Sequence, residues 1–366
     1  MYNWQHKDWP HFTYDVKPAE ADLFTFAERL GRIVGMNRTM AEGMQLDVAI
    51  AAMTAEAIKT SEIEGEFLQR EDVVSSIRNN LGLNPAKIEI RDQRATGISE
   101  LMLDVSKTFD EPISNETLFD WHQMLMRGNT QIEIGNWRTH TDPMQIVSGP
   151  LGRQKVHFEA PPSSSVPNEM EQFITWFNDS VPNGNKPIVH APVRAAIAHL
   201  YFESVHPFED GNGRIGRAIS EKTISQGAGS ALPISLSKVI ESNKKLYYAQ
   251  LEKAQRSMDI TEWVLYFVRT VLEALRQSEE MTLFILKKAK FFDEHRHQLN
   301  DRQTRVIKRM LEEGSEGFEG GMNARKYVGI AKTSKATATR DLQDLSEKKI
   351  LVPIGAGRSA RYEIDL

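Results

Sequence analysis

Cysteine is absent from the 366 residues, which excludes disulfides, thiolate metal sites and cysteine nucleophiles and agrees with a reducing compartment. Long apolar runs are missing too. The opening MYNWQHKDWPHFTYD has polar residues and a proline where a secretory signal needs an unbroken apolar core, so a cytoplasmic protein with no membrane partner is expected. Charge of one sign is also scarce. A net −5, on a chain that is 40% hydrophobic and 26% charged, is globular composition and too slight to argue for nucleic acid or membrane as the main partner. The length exceeds what one core usually organises, so two or three domains are expected.

What is present is chiefly helical periodicity. ADLFTFAERLGRIVGM, MAEGMQLDVAIAAMTAEAIKTSEIEGEFL, RDQRATGISELMLDVSKTF and PISNETLFDWHQMLM carry apolar residues at helix spacing and predict a bundle. Between Gly135 and Pro162, the runs MQIV and KVHFE flank the turn-rich SGPLGR and predict a small β-hairpin. Asn168 with Glu171 three residues on reads as a capping box for the next helix. HAPVRAAIAHLYFESV predicts a helix with Val193, Ile197, Leu200 and Val205 on its apolar face and an alanine-rich middle suited to a central position. A long connector helix is expected from TEWVLYFVRTVLEALRQSEEMTLFILKKAKFFDEHRHQL. Beyond it, three helices and the strands ILVPI and ARYEI, joined at GAG, make winged-helix order, the third helix capped by Thr333 or Ser334. Residues 296–366 hold 14 Lys and Arg against 10 Asp and Glu, a mildly basic tail on an acidic chain.

HPFEDGNGRIGR, residues 206–217, concentrates chemistry. Pro207 disfavours the α conformation at His206 and ends the preceding helix, so the imidazole should sit on a fixed corner, with Phe208 anchoring the loop. Gly211, Asn212 and Gly213 feed the helix RIGRAISEKTISQ, whose N-terminus gathers unpaired N–H groups and positive dipole, a geometry that holds phosphate. Arg214 and Arg217 share a face of its start. Two cations there oppose the dipole and repel each other unless a polyphosphate binds. Asp210 would repel that phosphate unless a divalent cation such as Mg²⁺ lies between. A neutral His206 can then act as general base toward an attacking hydroxyl.

The segment resembles the signature of the Fic family of nucleotidyl transferases, His-x-Phe-x-(Asp/Glu)-Gly-Asn-Gly-Arg-x-x-Arg, with every specified position matched, and the resemblance extends over roughly residues 45–275. It implies a mainly α fold, a Fic-type helical bundle with a β-hairpin flap at about 136–162, here followed by the winged helix. The expected division is an N-terminal helical extension at 1–45, a Fic catalytic domain at 46–290 and a winged-helix domain at 296–366. The implied reaction moves AMP from ATP to a Ser, Thr or Tyr hydroxyl of a target protein or of the chain itself, releasing pyrophosphate. In that reading His206 deprotonates the hydroxyl, Asp210 holds Mg²⁺, and the segment Gly211, Asn212, Gly213, Arg214, Ile215, Gly216 and Arg217 binds ATP, the arginines meeting the β- and γ-phosphates. Tyr247 and Tyr248, which read as core from the residues alone, correspond to an adenine-side aromatic pair with Gln255 nearby. Val156 and His157 border the site on the flap, where an extended target segment docks by strand addition.

KTSEIEGEF places Thr60 and Glu64 four apart on one helix face, with Gly65 next. Its chemistry alone suits a solvated face. It also resembles the Fic inhibitory motif, (Ser/Thr)-x-x-x-Glu-(Gly/Asn), on an inhibitory helix at about 48–66. The resemblance implies that Glu64 pairs with Arg217 and blocks the reactive pose of ATP. A homodimer is a further expectation. In the tail, Lys332, Lys335 and Arg340 lie on or near the candidate recognition helix, but Asp341, Asp344 and Glu347 share it, which ranks DNA below target recruitment. Two readings follow: an auto-inhibited AMP transferase, with UMP as another conceivable transferred group, and a nucleotide-sensing winged-helix transcriptional regulator with little turnover.

Overall fold

The computed structural model describes the chain except residues 151–152, 313, 315–316 and 356–360. The turn of the first hairpin and the GAG turn of the second therefore lie partly outside the described residues. Two compact units result, one of Met1–Met40 with Ala49–Ser278 and one of Ala41–Val48 with Glu279–Leu366. Among the described residues, no helix is long and apolar enough to cross a membrane.

In the first unit, α1 (Glu20–Thr39), α2 (Glu42–Ile63), α3 (Arg70–Asn80), α4 (Gln93–Lys107) and α5 (Asn115–Leu125) precede the hairpin of β1 (Gln145–Ser148) and β2 (Lys155–Glu159). Then come α6 (Val166–Asp179), α7 (Ala191–Val205), α8 (Asn212–Ala228), α9 (Leu236–Ser242), α10 (Lys244–Ala254) and α11 (Thr261–His295). The first seven residues of α2 and the C-terminal part of α11 belong to the second unit.

Every residue of α7 is buried, not one face of it. Small residues allow this. A Cβ at Gly227 would lie 2.3 Å from the Ala191 Cβ, and one at Gly216 would lie 2.6 Å from a Glu203 carboxylate oxygen, so α7 and α8 run antiparallel at a separation only these residues permit. The polar residues trapped in α7 are mostly paired. Arg194, for example, donates to Ser180, Gln226 and the Phe177 carbonyl.

One expectation is corrected. α6 begins at Val166, with Pro167 in its first turn, so Asn168 and Glu171 lie inside the helix and form no capping box. α3 escapes the periodicity reading because only Val73, Ser76 and Ile77 of it are buried, too narrow a stripe to stand out. Asn243 separates α9 from α10 and accepts from the Leu246 amide as cap. The N-terminal segment packs on its own unit: the Asn3 side chain donates to Ser204 Oγ at 2.8 Å, the Trp4 indole to the Glu159 carbonyl at 2.7 Å, and Trp9 stacks edge-on against Tyr201.

The second unit places α12 (Asp301–Glu312), α13 (Ala324–Ala331) and α14 (Lys335–Glu347) before β3 (Leu351–Ile354) and β4 (Arg361–Ile364), which pair antiparallel with Leu351 opposite Ile364. Val306, Ile307, Met310 and Leu311 of α12 meet Tyr327, Ala338, Leu342 and Leu345 in its core. Ser334 caps α14 by accepting from the Thr337 amide.

Candidate active site

His206 closes α7 in the left-handed region, φ 50°, ψ 60°, with its N–H on the Phe202 carbonyl at 2.9 Å. A residue before proline is usually extended, so this corner is held against its local preference. The holder is Arg138, which sequence reasoning missed. Its Nε donates to the His206 carbonyl at 2.8 Å, its amide to the Pro207 carbonyl at 2.9 Å, and its terminal nitrogens to Ser163, Pro161 and Val205. Burial brings this guanidinium down to about 10, yet every nitrogen has an acceptor. Phe208 anchors the loop as expected from its type, stacked on His122 with centroids 4.1 Å apart.

Gly211 takes φ 85° as N-cap of α8, a value that favours glycine, and a Cβ there would strike Met126 at 2.5 Å. Asn212 does not point its side chain into the cradle. Its Oδ1 accepts from the Phe208 amide at 2.9 Å and its Nδ2 donates to the Phe208 carbonyl at 2.8 Å, which staples the loop to itself. Ile215 is buried in the core with its amide on the Gly211 carbonyl, and Gly216 faces Glu203 and His199. Both serve packing and are not presented to a nucleotide. Helix geometry leaves the first-turn amides of α8 without an intrahelical acceptor, and they surround Gly213.

That position already has an anion beside it. A Cβ on Gly213 would lie 2.4 Å from Glu64 Oε1. The same oxygen accepts from Arg217 at 2.7 Å, while Arg217 Nε donates to Thr60 Oγ1 at 2.7 Å and its terminal nitrogen to the Thr60 carbonyl at 3.1 Å. α2 stops at Ile63, and Gly65, at φ 83°, turns the chain so that Glu64 projects from the helix end. Burial works to raise the Glu64 pKa, but Arg217, then Arg214 and Lys244, hold it below the ordinary carboxylate value. Burial works to lower that of Arg217, but the charge and hydrogen bond of Glu64 together with Tyr247 and Glu203 raise it. Arg214 turns instead to Glu66 at 2.9 Å, with Asp210 at 3.6 Å. Asp210 is more than half exposed and accepts from the Gly211 amide.

The His206 ring is pushed down to about 4 by burial and then by the Arg138 charge, against the Glu203 carbonyl, Glu64 and Asp210, so it is neutral near pH 7. Its Nδ1 is buried with no hydrogen-bond partner among the described residues, and Glu203 Oε2 lies 3.8 Å from it.

The aromatic pair divides. Tyr248 is exposed, but Tyr247 is core, its hydroxyl 2.8 Å from His199 Nε2, because neighbouring residues on a helix point about 100° apart. Gln255 is likewise buried, its side chain on the Glu203 carbonyl and its own carbonyl accepting from the Asn3 amide, so it ties the N-terminal segment down and offers nothing to a ligand. On the hairpin, Val147 pairs with Val156 past a register shift, and Val156 is exposed. His157 is fixed between Ser148 Oγ at 2.6 Å and Glu252 at 2.9 Å.

Residues 112–223 match the Fic/DOC family, and residues 2–83 match a domain of unknown function (DUF4172). The chain is 29% identical to a probable protein adenylyltransferase of Aquifex aeolicus over 98 residues, 27% of this chain and 27% of that protein. It is 23% identical to the protein adenylyltransferase Fic of Nematostella vectensis over 188 residues, 50% of this chain and 39% of that protein. The matches thus span between 27% and 39% of the length of these curated relatives. A Fic family protein from Desulfovibrio desulfuricans G20 has a similar fold, with a TM-score of 0.52 and 20% identity over 97% of this chain and 98% of that one. The Fic/DOC match runs through the loaded corner and both helices that build it, so residues 112–223 carry a Fic/DOC domain.

Proposed function

We propose that the protein is an auto-inhibited adenylyltransferase that moves AMP from ATP to a hydroxyl side chain of a protein, itself included. One observation carries the reading: a carboxylate of the chain itself, Glu64, rests on Gly213 and Arg217 at the start of α8, so an anion occupies the place where the helix terminus and a buried cation would receive phosphate. In the reaction, the hydroxyl oxygen bonds to the α-phosphorus, the bond from that phosphorus to the bridging oxygen of pyrophosphate breaks, and the hydroxyl proton passes to His206. Arg217, released from Glu64, takes the γ-phosphate; Arg214 takes the β-phosphate. Asp210 suits a magnesium ion, which keeps waters and phosphate oxygens and asks few protein ligands, and the ion would offset phosphate charge. The target's extended segment would pair along the hairpin beside Val156.

ATP labelled at the α-phosphate should label protein, and ATP labelled at the γ-phosphate should not. The opposite pattern would convert the reading to phosphoryl transfer, and no labelling from either position, with ATP bound, would favour a nucleotide sensor.

A second reading concerns the tail. Asp341 is turned inward onto Arg302 at 2.9 Å and the Tyr327 hydroxyl at 2.8 Å, and Asp344 onto Gln303 and Lys348. The exposed face therefore shows Lys332, Lys335, Ala336, Thr339, Arg340 and Gln343, with Glu347 the exposed acid at its far end, accepting from Gln343 at 3.1 Å, and the cations at its start support contact with a nucleic-acid duplex. Fluorescence anisotropy of the full chain with a labelled duplex should show salt-sensitive binding, weakened about tenfold or more by Lys335→Glu with Arg340→Glu. Equal binding by the double variant would leave protein recruitment as the role of this face.

A further inference from the structure

Glu203 is a buried carboxyl that nothing in the proposed reaction uses. It sits one helical turn before His206, is 3% exposed, and has Oε1 sealed from solvent with no hydrogen-bond partner among the described residues. Its space exists only because residue 216 has no side chain; a Cβ there would lie 2.6 Å from that oxygen. Such a group weakens a fold, since removing a carboxyl from water without partners is unfavourable. Burial first, and the Glu64 charge with it, raise its pKa to about 8 against the pull of Arg217. Its other oxygen, Oε2, faces His206 Nδ1 at 3.8 Å, within reach of a hydrogen bond after a small side-chain rotation.

We propose that Glu203 is the positioning residue of His206: Oε2 of its carboxyl accepts a hydrogen bond from Nδ1–H, which leaves Nε2 as the basic nitrogen. The geometry is that of a carboxyl placed behind a base, fixing its tautomer. The proposal rests on the adenylyltransferase reading for its kinetic consequence and on none of it for its structural one.

Its test compares Glu203→Gln and Glu203→Met in full-length Glu64→Gly protein. Gln keeps an acceptor for Nδ1–H; Met, similar in volume, loses it. We expect kcat for AMP transfer to stay within about threefold of the parent for Gln and to fall about a hundredfold or more for Met, with KM for ATP within about twofold of the parent in both. Thermal midpoints should be unchanged or higher, which separates the effect from misfolding. Nitrogen NMR of histidine-labelled protein should find His206 as the Nδ1–H tautomer in the parent and in Gln, and as a mixture or the Nε2–H form in Met. An unchanged tautomer and kcat within twofold in both variants would assign orientation to the Glu203 main-chain carbonyl and overturn the proposal. Should the Glu64→Gly parent transfer no AMP, the enzymatic reading fails while the tautomer measurement still decides the role of Glu203.

Discussion

Replacing Glu64 by glycine is expected to raise the rate of AMP transfer by about 30- to 150-fold, measured as α-phosphate label on protein. In the resting chain Arg217 is 1% exposed, and its side-chain hydrogen bonds among the described residues lie on α2 and the turn after it: the Thr60 hydroxyl, the Thr60 carbonyl and the Glu64 carboxylate. A γ-phosphate can reach that guanidinium only by displacing the carboxylate, and a charge-assisted hydrogen bond contributes about 2–3 kcal/mol, which sets the size of the effect. Thr60 would still hold the arginine in place after the change, so the cation becomes free without becoming loose. The gain should come mainly from ATP entering in the reactive pose, and ATP affinity should rise with it. Acidification is a poor substitute for the mutation. The folded-state pKa of Glu64 is lowered, so the lock is intact above the ordinary carboxylate value near 4.5 and fails only as pH falls through a lower one. Relief at neutral pH must therefore come from moving α2, by a partner or a second copy, and not from titration of Glu64. Equal labelling by the parent and the glycine variant would remove the brake.

The corner and the Glu64–Arg217 pairing were legible because each rests on a dense local pattern. A histidine before proline, glycines before a helix and arginines three apart each carry a backbone or charge consequence within a few residues. Thr60, Glu64 and Gly65 do so as well, once the helix is seen to end there. What stayed hidden depends on which way a side chain turns in the folded chain. Arg138 reaches its acceptors from 23 to 68 residues away in sequence, and GNWR contains nothing to announce it. Asn212 and Gln255 have amides suited equally to phosphate or to backbone, and the fold turns both inward. Tyr247 was separable in principle, because adjacent helical residues cannot face the same way. α7 was placed centrally from its alanines, but Glu203 and His199 inside it gave no signal, since a buried polar group is visible only when its neighbours are known.

Removing the imidazole is the other large effect. In the Glu64→Gly background, His206→Ala and His206→Asn are both expected to lower AMP transfer by about a thousandfold, within the usual range for loss of a general base. Two variants are needed because the site is strained. At φ 50° alanine adopts the left-handed region at a disadvantage of about 1–2 kcal/mol, whereas asparagine enters it readily. Alanine could then lose activity through a loosened corner, while asparagine should keep the corner and lose only the proton acceptor. Nothing in the α8 cradle depends on the ring: Arg217 is held by Thr60 and the stapled Asn212 by the Phe208 backbone, so ATP affinity should stay within about threefold of the parent by calorimetry, a difference under 1 kcal/mol. Transfer by the asparagine variant within tenfold of the parent would show that the hydroxyl proton leaves by another route, and the base would have to be sought elsewhere. If transfer is lost with ATP affinity and thermal midpoint preserved, the loss is that of a base acting on a bound nucleotide, because neither packing nor substrate capture has changed.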